Sequence, residues 1–169
     1  MSPPIPHLIP LAVGLAAAIV FDLRRRRIPN AVAGFVFVTG LVASGYHGGV
    51  LGALSGLSAS VVLVGLLFAP WKGGGIGGGD VKLAAATGAW VGLPHLIWFV
   101  LASALAGGVV SAVFYLFASP AARAEVKANL VLAGLQGEMP PVASHRKGHL
   151  SVPYAIAISA GAIIAILVA

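Results

Sequence analysis

Long apolar blocks alternate with short polar breaks along this chain. Apolar residues fill 5–23, 28–46 and 49–70 with few interruptions. A further run from 81 to about 119 is too long for one bilayer crossing and is broken by Pro94-His95, so it divides into a short block, 81–93, and a full one, 94–118. A last block, 151–169, closes the chain. A helix needs about 20 apolar residues to cross a hydrocarbon core. Lipid offers no partner to an unpaired N–H or C=O, so each block is expected to be helical. The pattern predicts an all-α polytopic membrane protein of about six transmembrane helices, folded as a single domain over 1–169.

Small residues recur every fourth position in the third block (Gly48, Gly52, Gly56, Ser60) and in the fifth (Ala104, Gly108, Ala112). Such rows let helix backbones approach closely. The only sizeable polar stretch is 119–150. Within it, 121–135 is expected to be a helix lying on the membrane, with Arg123 and Lys127 one turn apart and Val126 and Leu130 towards lipid. The following 136–149, where Pro, Gly and charge occur together, reads as a loop or as a mobile lid.

Composition supports the membrane reading. Apolar residues make up 59% of the chain and charged ones 8%, with a mean hydropathy of +1.03. Soluble domains carry about a quarter charged residues, so a water-soluble globule is excluded. The absence of Cys excludes disulfide scaffolds, thiolate zinc sites and cysteine nucleophiles. A net charge of +6 would suggest nucleic acid in a soluble protein, but its distribution explains it otherwise. With alternating crossings, all ten Lys and Arg (Arg24 to Arg27, Lys72, Lys82, Arg123, Lys127, Arg146, Lys147) fall on one side. The other side receives His7, His47 and His95. The positive-inside rule then puts the basic loops in the cytoplasm and both termini outside. No nucleic-acid partner is required; Arg24 to Arg27 suit contact with anionic membrane lipid. No positive stretch precedes Arg24, so the first block is expected to remain in the mature protein rather than leave as a signal peptide.

The acids carry the chemistry, because there are only four: Asp22, Asp80, Glu125 and Glu138. The last two lie in the polar stretch. Asp22 ends the first apolar block and Asp80 opens the fourth, so both fall at cytoplasmic ends of spans, at similar depth. Acids near the membrane interior are costly and are functional candidates for that reason. The 81–93 block is about 20 Å long at 1.5 Å per residue, against a hydrocarbon core of roughly 30 Å. Asp80 is therefore expected below the membrane surface. It is preceded by a run of glycines, 73–79, broken only by Ile76. A phosphate loop is excluded, since the G-x-x-x-x-G-K-[ST] pattern is missing and Asp80 would repel the anion. The run reads as a flexible linker, or as a segment that lets an extended peptide approach. Two carboxylates sharing one proton can activate water and polarise a peptide carbonyl. The same two acids would also serve a small proton-coupled transporter or channel. His145 and His149 are four apart, but Gly148 and the nearby prolines disfavour a helix and no further ligand is at hand, so no metal is expected.

Two motifs then point to a family. Asp22 opens the pattern D-x-x-x-x-x-I-P-N, which ends on Ile28-Pro29-Asn30, and Gly77-Gly78-Gly79-Asp80 fits G-x-G-D, extended through Lys82. This pair, one after each of two odd-numbered spans, resembles the prepilin peptidase family of membrane aspartic proteases; Val152-Pro153-Tyr154 at the last span fits as well. The resemblance implies catalysis by Asp22 and Asp80, with Gly77, Gly78, Gly79 and Lys82 bordering the substrate. Lys82 would lie near the two acids or snorkel to the interface. It also implies a type IV pilin-like precursor as substrate, cut on the cytoplasmic face of a bacterial inner membrane, and no cofactor. Long members carry an extra cytoplasmic domain linked to N-methylation. The short 22–29 connection leaves no room for it, so the chain resembles the short, peptidase-only members of Flp (tight adherence) pilus systems.

The topology generates the first test. A cysteine placed at His47 is expected to react with an impermeant thiol reagent in intact cells, and one at Ser144 is not. The reverse labelling would overturn the orientation.

Overall fold

The computed structural model describes residues 8–136 and 153–168. The expected loop beyond Gln136, together with Glu138, His145, His149 and Val152, lies outside the described residues. Every regular element described is a helix: α1 Ile9–Arg25, α2 Asn30–Lys72, α3 Gly78–Leu116, α4 Pro120–Gln136 and α5 Tyr154–Val168. α2 and α3 are long and apolar enough to cross a membrane, and α5 is a shorter apolar helix.

Each long helix is interrupted by one glycine. Gly49 has φ 61° and ψ −151°, and Gly92 has φ 68° and ψ 174°. Both lie where only glycine is comfortable. At Gly49 the chain folds back, so that Gly52 lies against the Ser44 carbonyl and a Cβ on Gly45 would stand 3.6 Å from Ala53. In one straight helix, residues eight apart would be about 12 Å distant. At Gly92 the same reversal brings Asp80 and Ala84 to the cavity that Val100 and Ala104 line. The Leu93 N–H, freed by this break, donates to Ser55 Oγ at 2.9 Å. α2 and α3 are thus antiparallel helical hairpins, with arms 30–48 and 50–72, and 78–91 and 93–116. With α1 and α5 they give six apolar helical segments among the described residues.

The expected boundaries need one correction. The fourth and fifth blocks part at Gly92, not at Pro94-His95. Proline lacks only an N–H that the first turn of a helix leaves unbonded anyway, so Pro94 is accommodated there. The sharp reversal falls to the residue that tolerates positive φ. The helix expected over 121–135 is present as α4.

The 78–91 arm lies at the centre of the bundle, with Val81 and Leu83 to Ala89 buried. It packs between α2 and α5. Leu11, Leu15 and Ala18 of α1, Val36 and Leu63 of α2, Phe99 of α3, and Ile158 and Ala162 of α5 complete the core. Large apolar side chains such as Val42, Leu51, Leu105 and Leu167 face outward, as suits a lipid solvent. The row in the third block packs in part: a Cβ on Gly56 would strike the backbone of Ala89 and one on Gly52 the Ser44 carbonyl, whereas Gly48, before the break, has open space beside it. The row at 104, 108 and 112 does not form the seam: Gly108 has open space beside it. The contact with α5 runs one position earlier, where Gly107 meets Tyr154 and Ala157, and Ser103 meets Gly161. Apart from Ser103 Oγ, the buried polar side-chain atoms among the described residues are bonded locally or across helices. Ser60, Thr87 and Ser159 donate to the carbonyl four residues earlier. Ser44 Oγ donates to Ala89 O (2.6 Å) and Trp90 Nε1 to Val36 O (2.8 Å), tying α2 to α3.

Gly92→Ala is expected to cost about 1–3 kcal/mol through strain at positive φ, read as a lower unfolding midpoint in detergent. Gly34→Ala, where a Cβ meets open space, is expected not to lower that midpoint, since Ala is the better helix residue.

Candidate active site

Asp22 lies in the last turn of α1, which closes on Arg26 in a left-handed cap whose N–H bonds the Asp22 carbonyl at 2.9 Å. The chain then runs straight into Ile28, buried in the core, and Pro29, whose extended backbone caps α2. Asp22 is 8% exposed. Its Oδ2 accepts from the Ala155 N–H at 3.3 Å. That N–H belongs to the first turn of α5, where the helix leaves donors unused. The first and last helices are therefore joined at the acid itself.

Asp80 lies in the first turn of α3, after the glycine run. Its N–H and that of Val81 bond the Gly77 carbonyl (3.0 and 3.2 Å). The carboxyl group folds back over Gly77, where a Cβ would come within 2.8 Å of Oδ2. The Asp22 carboxyl is near enough for the two acids to feel each other's charge. The structure thus brings together the two acids singled out in the sequence.

The glycines next to Asp80 are explained by three different close approaches. Gly77 leaves room for the Asp80 carboxyl. A Cβ on Gly78 would stand 3.0 Å from Trp71 Nε1. Gly79 lies on Ile28, where a Cβ would come 3.3 Å from Ile28 Cβ and 3.4 Å from its backbone nitrogen. The two motifs touch through this last contact. They touch again where Lys82 Nζ donates to Asn30 Oδ1 at 2.9 Å. Lys82 is two residues beyond Asp80, and such pairs point to different sides of a helix. It opens onto a separate groove of about 590 Å³ with Asn30, Phe37, Phe68 and Trp71.

Asp80 itself borders a cavity of about 390 Å³ between the arms of the two hairpins and α5. Leu63, Leu67, Phe99 and Val100 give it apolar walls, and Ser103 and Tyr154 add polar groups. Tyr154 immediately precedes Ala155, the partner of Asp22, so the cavity extends from one acid towards the support of the other. Tyr154 was visible in the sequence only as part of Val-Pro-Tyr, and Ser103 carried no signal. No cluster of three or more His, Cys, Asp or Glu suited to a metal occurs among the described residues.

Apolar helices that reverse at glycines, with two acids at neighbouring helix ends and one of them bordering a cavity, define a membrane-type helical protein. Residues 9–112 match the type IV leader peptidase family, and the chain belongs to that family. No curated protein and no solved structure matches it.

The contact between the motifs can be tested. Gly79→Val is expected to push Ile28 and the first motif away from Asp80. Peptidase activity should then fall more than the yield of folded protein; an equal fall would make the contact purely structural.

Proposed function

We propose that this chain is a membrane-embedded aspartic endopeptidase that removes the leader peptide of type IV (Flp-like) pilin precursors. It works at the cytoplasmic face of a bacterial inner membrane, which the chain crosses six times. The observation that carries the proposal is that Asp22 and Asp80, on two helix ends whose motifs touch, are near enough to feel each other's charge, with Asp80 bordering a cavity, within a chain of the leader peptidase family.

In this reading the two carboxyl groups share one proton. The ionised member takes a proton from water, whose oxygen attacks the scissile carbonyl. The protonated member donates to the carbonyl oxygen as charge develops there. The amine leaves once it has been protonated, and the shared proton returns to the pair. Ala155 holds the Asp22 carboxyl in place through its N–H. Gly77, exposed and without a side chain, gives the extended substrate access beside Asp80; Gly78 and Gly79 let the loop fold tightly enough to present it. Lys82 contributes through Asn30, holding the two motifs in register, and faces the substrate only from the second groove. The reaction needs no cofactor.

Asp22→Asn and Asp80→Asn are each expected to abolish cleavage of a pilin-like precursor by the purified protein in detergent. Folded yield should be retained. Because the pair performs one function, the double variant should be no worse than either single one. Glu125→Gln should cleave normally. Substantial cleavage by either Asp variant would remove the two-carboxylate mechanism.

A further inference from the structure

We propose that Ser103 is a substrate-binding residue, whose hydroxyl hydrogen-bonds the backbone of the peptide held beside Asp80. This rests on the peptidase reading above and adds a specific contact to it.

The observation is an exception. Among the described residues, the other buried hydroxyls are bonded: Ser60, Thr87 and Ser159 donate to the carbonyl four residues earlier, as does the half-buried Thr39, and Ser44 donates to Ala89. Ser103 Oγ is buried and has no hydrogen-bond partner among the described residues. A helical serine can turn back to the carbonyl four residues earlier, and here that carbonyl, on Phe99, is not used. A buried polar group without a partner is costly and calls for an explanation.

Its place supplies the explanation. Ser103 lines the same cavity as Asp80 and Tyr154, whose other walls are apolar. An extended peptide entering that cavity brings N–H and C=O groups that have left water and need new partners. A serine hydroxyl is both a donor and an acceptor. At present it rests on Gly161 of α5, where any Cβ would collide with it. It makes no hydrogen bond there, so a change of staggered rotamer towards the peptide would break none. A residue needed only for close helix packing would be better as Ala, which fits the same contact and leaves no hydroxyl unbonded.

The test uses the full chain in detergent and a synthetic peptide spanning the leader junction of a type IV pilin-like precursor. Ser103→Ala is expected to raise KM about tenfold, the loss of about one hydrogen bond, with kcat little changed. Its unfolding midpoint should be equal to or above that of the wild type. Ser103→Thr, which keeps a hydroxyl, should lower KM again relative to Ser103→Ala. Thr39→Val, outside the cavity, should behave as wild type. Unchanged KM in Ser103→Ala, or a fall in activity that only follows a fall in folded protein, overturns the assignment. If the wild-type chain leaves the peptide uncut, the peptidase reading fails and this inference falls with it. If the wild type cleaves and Ser103→Ala keeps its KM, Ser103 alone is excluded.

Discussion

A bilayer gives the backbone no hydrogen-bond partner, and most of this structure follows from that constraint. Apolar segments must satisfy their own N–H and C=O groups, so they are helices. A chain that must reverse between two such helices has to do so with as little unbonded backbone as possible. Here a single glycine suffices at each of two places. At Gly49 and Gly92 a positive φ turns the chain inside what is otherwise continuous helix. At the second, the N–H released by the turn is taken up by Ser55 from the neighbouring hairpin. Nesting the hairpins then depends on small residues, because a backbone such as that of Ala89 can approach Gly56 only where no side chain intervenes.

The same economy builds the site. A carboxyl group at 8% exposure needs a donor. Asp22 obtains one from a helix end that has N–H groups to spare, the first turn of α5. Asp80 is presented by a different device, three glycines whose missing side chains admit its own carboxyl, the Trp71 indole and Ile28. The two motifs are therefore not independent loops that happen to face each other. Gly79 rests on Ile28 and Lys82 holds Asn30, so the end of the first motif buttresses the start of the helix carrying the second acid.

Much of this was legible in the sequence, for physical reasons that differ from place to place. Apolar blocks of bilayer length define the helices directly, since solvent-imposed helicity does not depend on tertiary context. Asp22 and Asp80 were conspicuous because only four acids occur in the chain and two of them adjoin apolar blocks. Their approach to each other was not legible, because it depends on how α1, α3 and α5 pack. The break at Gly92 was misplaced by two residues because proline is the stronger punctuation mark, although it fits a helix start and glycine makes the turn. The 104, 108, 112 row failed for a related reason. Spacing identifies a stripe of small residues, but only the neighbour decides which stripe is the contact, and α5 lies on Ser103 and Gly107 instead. Gly77 to Gly79 could be read as a linker or as an opening for a peptide. Their close approaches show that they are packed against Asp80, Trp71 and Ile28.

What distinguishes a site from a scaffold in such a chain is the treatment of its polar atoms. In the scaffold they are consumed: the hydroxyls of Ser60, Thr87 and Ser159 turn back onto their own helices, and the Trp90 N–H spans to Val36. Beside Asp80 this rule is relaxed. The cavity mixes apolar walls with a carboxyl, a tyrosine and a serine whose hydroxyl is buried and unbonded. Stability alone would remove such groups, since replacing an unsatisfied polar atom by an apolar one of similar shape lowers the cost of burial. If Ser103 binds substrate as proposed, the cavity beside Asp80 holds that one hydroxyl open for a partner. An extended peptide, which carries an unmet donor and acceptor on nearly every residue, has the chemistry to use it.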